Sequence, residues 1–427
     1  MSHDWESIER RIRESASSSW LTEGMKGSLL LDYEDRGLMS PVIASHKLHH
    51  LADRAGGVVS LSAGSQIGRM PPEVAVRATH DALEAGYVGF PSSLGYREFR
   101  QAIARKLRRE NGIAAGPDSE IIPTVGAQAV LDGTIRILVD KGDDVLLIDP
   151  EYASIEPLVA MAGGRVIRVP LRYDRKAQAW SFDPDEVGRR VTPRTKLFIM
   201  SNGNNPAGLL YTREQLAAIG DLARRHDFFI LSDEEYERLV FDGQTHTSMA
   251  ALTGMMERTI TAMSFSKAYV MTGFRIGFMV APAAIVDHMA QIVRFAVQAA
   301  PSLSQRAAMA VLDSDVSAWL AGSLRELESK RDYGLGRLRG LPGVTCASPS
   351  GCYFLFPHFD LGMSSQALAE YLITEGKVST LPGHMFGPTG EGHLRVSFCV
   401  PQAQLAEGLD RLEAAVRRLT VGGRTSG

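Results

Sequence analysis

The chain reads as an α/β protein: a large domain on a mainly parallel seven-stranded sheet with flanking helices, and a smaller α+β domain drawn from both termini. Three observations predict it. Between about residue 120 and 280, short apolar runs alternate with stretches of helical periodicity, the pattern of strand, crossover and parallel strand. Beyond residue 310 the pattern changes to long amphipathic segments and a few separated strands. A length of 427 residues exceeds what one simple core accommodates and suits two domains.

Residues 1–20 carry charges of both signs and no apolar core, which predicts a helical or partly disordered extension and not a secretory signal. The strands are expected at Glu120–Val125, Asp144–Ile148, Arg165–Val169, Thr195–Met200, Phe228–Ser232, Thr259–Ala262 and Gly277–Val280. Between them, Ala127–Asp140, Thr212–His226 and Ala283–Ala296 place apolar residues at helical spacing. Thr212, with Gln215 three residues on, predicts a capping box. Ala318–Leu341 reads as a long charged amphipathic helix, and Gly343–Phe356 and Gly392–Val400 as strands flanking a helix near Ser365–Glu375. The expected division is 1–60 for the N-terminal extension and part of the small domain, 61–310 for the large domain and 311–427 for the rest of the small one. Gly422–Gly427 reads as a frayed tail.

A net charge of −3, with no basic run, gives no electrostatic case for nucleic acid. No apolar run approaches the ~20 residues of a membrane span. Cys346, Cys352 and Cys399 are too few and too scattered for a disulfide framework or a four-ligand zinc site, so no metal is expected and the compartment should be the reducing cytoplasm. Small-molecule chemistry is the class that remains.

The segment Ser264–Phe278, SFSKAYVMTGFRIGF, sets Lys267 among small hydroxyl residues, with Arg275 eight positions downstream. A lysine amine holds an aldehyde as an imine, while Ser264, Ser266 and the two-pronged Arg275 suit a phosphate; pyridoxal phosphate carries both groups. Five further elements fall in order around it, most at strand ends, where open parallel sheets place their ligands. Gly126–Ala127–Gln128 opens a helix whose backbone N–H groups can receive a phosphate. Tyr152, after Asp149–Pro150, can stack on a pyridine ring. Asn205 lies in a turn-forming loop and Tyr236 near the next strand end; both can donate to the cofactor's phenolic oxygen. Asp233 is a carboxylate emerging from a buried strand, and a protonated pyridine nitrogen is the partner it needs. Arg395, in an alternating strand, suits a substrate carboxylate. Singly, each has a plain structural explanation: a tight turn, a core tyrosine, a helix cap, a surface arginine. Their order outweighs those explanations.

As a set, these motifs resemble the fold-type I pyridoxal phosphate enzymes, specifically the class I/II aminotransferases, over roughly residues 58–415. The resemblance implies that Lys267 is the imine lysine, Asp233 the pyridinium partner and Asn205 and Tyr236 the phenolic-oxygen contacts. It implies Tyr152 as the stacking ring and Gly126, Ala127, Gln128, Ser264, Ser266 and Arg275 as the phosphate cup. Arg395 becomes the carboxylate clamp and Gly64 the glycine of a loop that closes over substrate. The implied reaction is transamination between an α-amino acid and a 2-keto acid, in a homodimer with sites between subunits. The sequence departs from the family in three places. Gly203 and Ala207 replace a proline and a threonine around Asn205. Phe90 stands where a tyrosine often reaches the neighbouring subunit's phosphate, with Tyr87 three residues earlier. Val297 stands where aspartate enzymes carry an arginine, which predicts weak dicarboxylate preference.

The same scaffold also serves lyases, cyclases and oxidases acting on amino acids or S-adenosylmethionine. Gly95–Arg100 is locally similar to the aminocyclopropane-carboxylate synthases, although Leu94 replaces their tyrosine. A non-enzymatic effector-sensing module is a further alternative, for which residues 1–56 are a short DNA-binding part and an intact Lys267, Asp233 and Arg275 set argues the other way.

Overall fold

The computed structural model describes residues 40–422 continuously, together with Ser7, Glu9, Arg10, Glu14, Ser19, Thr22 and Met25. The expected extension over residues 1–20 lies largely outside the described residues, as does the tail 423–427. Seven strands form the central sheet: β1 (Ile121–Thr124), β2 (Asp144–Asp149), β3 (Arg165–Pro170), β4 (Thr195–Ser201), β5 (Phe229–Asp233), β6 (Thr259–Ser264) and β7 (Gly277–Val280). Their order is β1-β7-β6-β5-β4-β2-β3. Neighbours are parallel except at β7, which runs antiparallel to both β1 and β6.

The central strands are apolar almost throughout because both faces are covered. Leu146, Ile148, Phe198, Met200 and Ile230 enter one core, and Val145, Leu147, Leu197, Ile199 and Leu231 enter the other. The two-residue period of a strand divides a continuous apolar run in this way. Helices Ala127–Leu138 and Ala283–Ala296 cover the second core with Val130, Leu131, Ile285 and Met289, and helix Arg213–His226 covers the first with Leu216 and Ile219. That last helix begins with the expected reciprocal capping box of Thr212 and Gln215. Burying one such Leu or Ile contributes about 1.5–3 kcal/mol, against about 1 kcal/mol for a cap. Packing therefore places the helix, and the cap sets where it starts.

The carboxyl ends of β2, β4, β5 and β6 meet at one edge of the sheet, which brings Asp149, Ser201, Asp233 and Ser264 into line. Because β7 runs the other way, its first residue, Gly277, sits at that same edge between Thr124 of β1 and Ser264 of β6. Sequence-distant turns are thereby only two strands apart.

The C-terminal part holds helix Ser317–Arg339, helix Ser365–Thr374 and an antiparallel sheet of Phe354–Leu355, Leu394–Ser397 and Leu381–Pro382. The stretch Gly343–Phe356 is not one strand: Val344–Thr345 and Phe354–Leu355 are separated by a loop whose Ser350 and Gly351 N–H groups both donate to the Gly208 carbonyl, at 2.9 and 3.0 Å. Those bonds use the donors a continued strand would need. Helix Pro41–Ala55 packs here, with Lys47 ion-paired to Glu370 at 2.5 Å. Val59–Ser60 then pairs with Val378–Ser379, and Leu61 O accepts from Ser397 N at 2.7 Å. This leads residues 62–66 over the carboxyl edge of the large sheet.

Candidate active site

Lys267 lies three residues past the end of β6. Its Nζ donates to the carbonyl of Gly64 at 2.9 Å, and the Tyr353 hydroxyl donates to the same oxygen at 2.7 Å. Gln66 Nε2 donates to the Lys267 carbonyl at 2.9 Å. The segment expected to close over a substrate is thus held to the lysine from both sides.

Asp233 ends β5 and is only 7% exposed. Oδ1 accepts the Glu235 N–H at 3.2 Å. Burial, with Glu235 adding to it, raises its pKa well above the usual carboxylate range, and Lys267 offsets this only in part. Tyr236, three residues on, is buried and stays protonated because burial raises its phenol far above its ordinary value. Its ring meets Tyr353 edge-on at 5.3 Å between centroids.

Asn205 follows β4 in a loop with a cis Asn205–Pro206 bond. Its Oδ1 accepts from Arg395 Nη1 at 3.1 Å, so its amide nitrogen is left in the donor role. Arg395 comes from strand Leu394–Ser397; Nη2 donates to the Ser62 carbonyl at 3.1 Å, and the guanidinium lies 4.0 Å from the centre of the Phe354 ring. Nε is buried with no hydrogen-bond partner. Tyr152 follows β2, and its N–H donates to Glu151 Oε1 at 2.8 Å. Glu151 is fully enclosed and also accepts from the Ser201 N–H and hydroxyl and from Asn204 Nδ2. Burial pushes its pKa up to about 7 against the pull of those donors.

At the other end, Gly126 has φ 75° and ψ 172° and caps helix Ala127–Leu138. A Cβ there would stand 2.8 Å from Arg275 Nη2. Arg275 therefore lies against the helix N-terminus, its Nη1 held by the Thr272 carbonyl at 2.9 Å. Ser264 Oγ accepts from the Ser266 N–H at 3.1 Å and donates to Glu235 Oε1 at 2.5 Å.

One cavity of about 230 Å³ collects Gly64, Tyr152, Asn205, Asp233, Tyr236, Lys267 and Arg395. Ser201, Glu235 and Phe354, which sequence reasoning missed, line it too. Gly126, Ala127, Gln128, Ser264, Ser266 and Arg275 are not among its lining residues; Ser264 adjoins it through Glu235. Larger hollows of about 690 and 630 Å³ lie elsewhere, around Arg109–Glu110 with Val316 and around Gln101–Arg105.

The arrangement fits pyridoxal phosphate on two counts: a buried carboxyl group with no ion pair among the described residues, which a pyridinium would supply, and a glycine at a helix N-terminus beside Arg275 whose space a Cβ would fill. Fold and site together define a pyridoxal-phosphate-dependent enzyme of fold type I. Residues 57–412 match the family model described as aminotransferase class I and II. The chain is 36% identical over 375 residues to aromatic-amino-acid aminotransferase 2 of Thermococcus litoralis, covering 87% of this chain and 95% of that one. It is 35% identical over 375 residues to aspartate aminotransferase of Pyrococcus abyssi, again covering 87% and 95%. The solved structure of N-succinyldiaminopimelate aminotransferase from Mycobacterium tuberculosis superposes with a TM-score of 0.82 at 32% identity, covering 87% of this chain and 96% of that one. The chain belongs to the class I and II aminotransferases, pyridoxal phosphate enzymes that exchange an amino group between an α-amino acid and a 2-keto acid.

Proposed function

We propose that Lys267 carries the cofactor aldehyde and moves the proton of the reaction, on a donor amino acid with a single carboxylate. The observation that supports this reading is the meeting of Lys267, buried Asp233 and Arg395 in one cavity from three distant parts of the chain. When bound, pyridoxal phosphate supplies an electron sink for charge released at the α-carbon. Asp233 would pair with the pyridine nitrogen and favour its protonated form. Tyr152 would stack on the ring, and Asn205 and Tyr236 would donate to its phenolic oxygen. Gly126, Ala127, Gln128, Ser264, Ser266 and Arg275 would receive the phosphate. Arg395 would hold the substrate carboxylate so that the Cα–H bond faces Lys267, whose Nζ, set free when the donor's amine replaces it on the aldehyde, would take the proton as general base and return it as general acid. The Gly64 segment, already bonded to Lys267 and Tyr353, closes the cavity against water.

Among the described residues, the cations lining the cavity are Lys267 and Arg395, and exposed Val297 lies where a second carboxylate reader is expected. Both favour a monocarboxylate donor. We also infer a homodimer in the cytoplasm: Met70, Val88, Phe90 and Phe295 are 70%, 70%, 85% and 78% exposed, a set of large apolar side chains that a second copy would cover. No helix among the described residues is long and apolar enough to cross a membrane. The domain division proposed is 61–310 for the cofactor domain, with 1–60 and 311–427 forming the smaller one.

The test is a panel of amino donors mixed with the cofactor-loaded protein, following conversion to the pyridoxamine form and its reversal by 2-keto acids. Aromatic and aliphatic donors should convert it faster than aspartate or glutamate. Borohydride should fix the cofactor to the wild type and not to Lys267→Ala. Preference for dicarboxylates would overturn the substrate assignment, and fixation in Lys267→Ala would overturn that of the lysine.

A further inference from the structure

Glu235 is a carboxylate for which the reaction above has no use, yet it lines the cavity beside Asp233, Tyr236 and Lys267. Its neighbour Glu234 turns away and is fully buried, held by the Ser232 and Ser248 hydroxyls at 2.9 and 2.6 Å and by the Met249 N–H at 3.1 Å. Glu235 instead reaches from the end of β5 to the end of β6, where its Oε1 accepts the Ser264 hydroxyl at 2.5 Å. Ser264 Oγ also accepts from the Ser266 N–H at 3.1 Å, so the carboxylate settles which way the hydroxyl proton points. A serine hydroxyl has one proton to donate. While Glu235 holds it, a phosphate oxygen cannot, and two anions sharing that hydroxyl repel one another.

We propose that Glu235 is a built-in placeholder of the phosphate cup, an anion of the chain that occupies Ser264 until a phosphate displaces it, and so sets how tightly the enzyme holds its cofactor. The inference rests on the assignment of Ser264 to the phosphate cup. Arrival of the phosphate transfers the Ser264 hydrogen bond from the glutamate to a phosphate oxygen and turns the carboxylate out; no covalent bond changes. Glu235 also acts on Asp233 at the pyridine end. That effect is common to phosphorylated and unphosphorylated cofactor, so the ratio of their affinities isolates the phosphate end.

The experiment is absorbance titration of the cofactor-free full chain with pyridoxal phosphate and with pyridoxal. Glu235→Gln keeps an acceptor for Ser264 but removes the charge, and should raise the ratio of pyridoxal phosphate to pyridoxal affinity about tenfold or more, the scale of one hydrogen bond to a charged group. Glu235→Ala should move the ratio the same way, and serves if the glutamine variant does not fold. Combining Glu235→Gln with Ser264→Ala should abolish the gain. An unchanged ratio in both Glu235 variants, with Ser264→Ala lowering it, overturns the placeholder alone. A Ser264→Ala ratio equal to wild type overturns the phosphate-cup assignment on which the inference stands.

Discussion

Gly126→Ala should loosen the cofactor's phosphate end for two separable reasons. At φ 75° and ψ 172° the residue occupies backbone space used almost solely by glycine, so a Cβ costs about 1–3 kcal/mol in strain. That Cβ also stands 2.8 Å from Arg275 Nη2 and 3.3 Å from Cζ, closer than the atoms tolerate, so the guanidinium must move. Its backbone cannot follow easily, because Gly277, two residues on, is wedged against Gly126 C and Ala127 N, its own Cβ position only 2.8 and 2.9 Å from them. A displaced Arg275 forfeits a charge-assisted hydrogen bond of about 1.5–3 kcal/mol, or roughly 10- to 150-fold in pyridoxal phosphate affinity. Urea unfolding of the cofactor-free protein reads the strain, and cofactor titration reads the clash. In an Arg275→Ala background the titration effect of Gly126→Ala should disappear while the unfolding effect remains. Wild-type cofactor affinity in Gly126→Ala, or the full affinity loss persisting without Arg275, would refute the reasoning.

Arg395→Lys keeps the charge but loses the fork that now spans Asn205 Oδ1 and the Ser62 carbonyl and the flat face over Phe354. The KM for the amino donor should rise about tenfold or more, with pyridoxal phosphate affinity little changed; an unchanged KM would show the carboxylate binds elsewhere. His393, stacked 4.8 Å from Phe356 and tilted 5.1 Å from Trp180, has its pKa lowered to about 3 by burial. Between its unfolded value near 6.5 and 3, the unfolded chain takes up a proton the folded one refuses, so acidification across that window costs about 1.4 kcal/mol per pH unit. His393→Asn should flatten that part of the urea-midpoint profile against pH, and an identical acid slope in the variant would rule the residue out as its source.

The large domain's strands were legible because most of them are largely apolar runs ended by a polar or turn residue. Asp144–Ile148 became Asp144–Asp149, and Thr195–Met200 became Thr195–Ser201. Gly343–Phe356 was misread because its alternation suits a strand while its N–H groups were already committed to Gly208, and sequence periodicity carries no information about a distant acceptor. The same limit hid Tyr353 and Glu235. Tyr353 sits in the misread segment, and its hydroxyl finds Gly64, 289 positions away. Glu234 and Glu235 are identical in composition and adjacent in sequence, so which one faces the cavity depends on how the chain turns after β5 and on where Ser248 and Ser264 stand.

What the sequence offered alone was a set of candidate groups and their places in the chain: Lys267, Asp233, Asn205, Tyr152 and Gly126 at or just past strand ends, and Arg395 within a strand. Strand ends can be read locally, since burial and turn chemistry act over a few residues. Only the tertiary structure decided the company those groups keep. The reversal of β7 brings Gly126, Arg275 and Ser264 to one edge, and the pairing of Val59–Ser60 with Val378–Ser379 lays Gly64 across Lys267. Both are long-range strand pairings, fixed by hydrogen bonds between segments whose separation along the chain leaves no local signature.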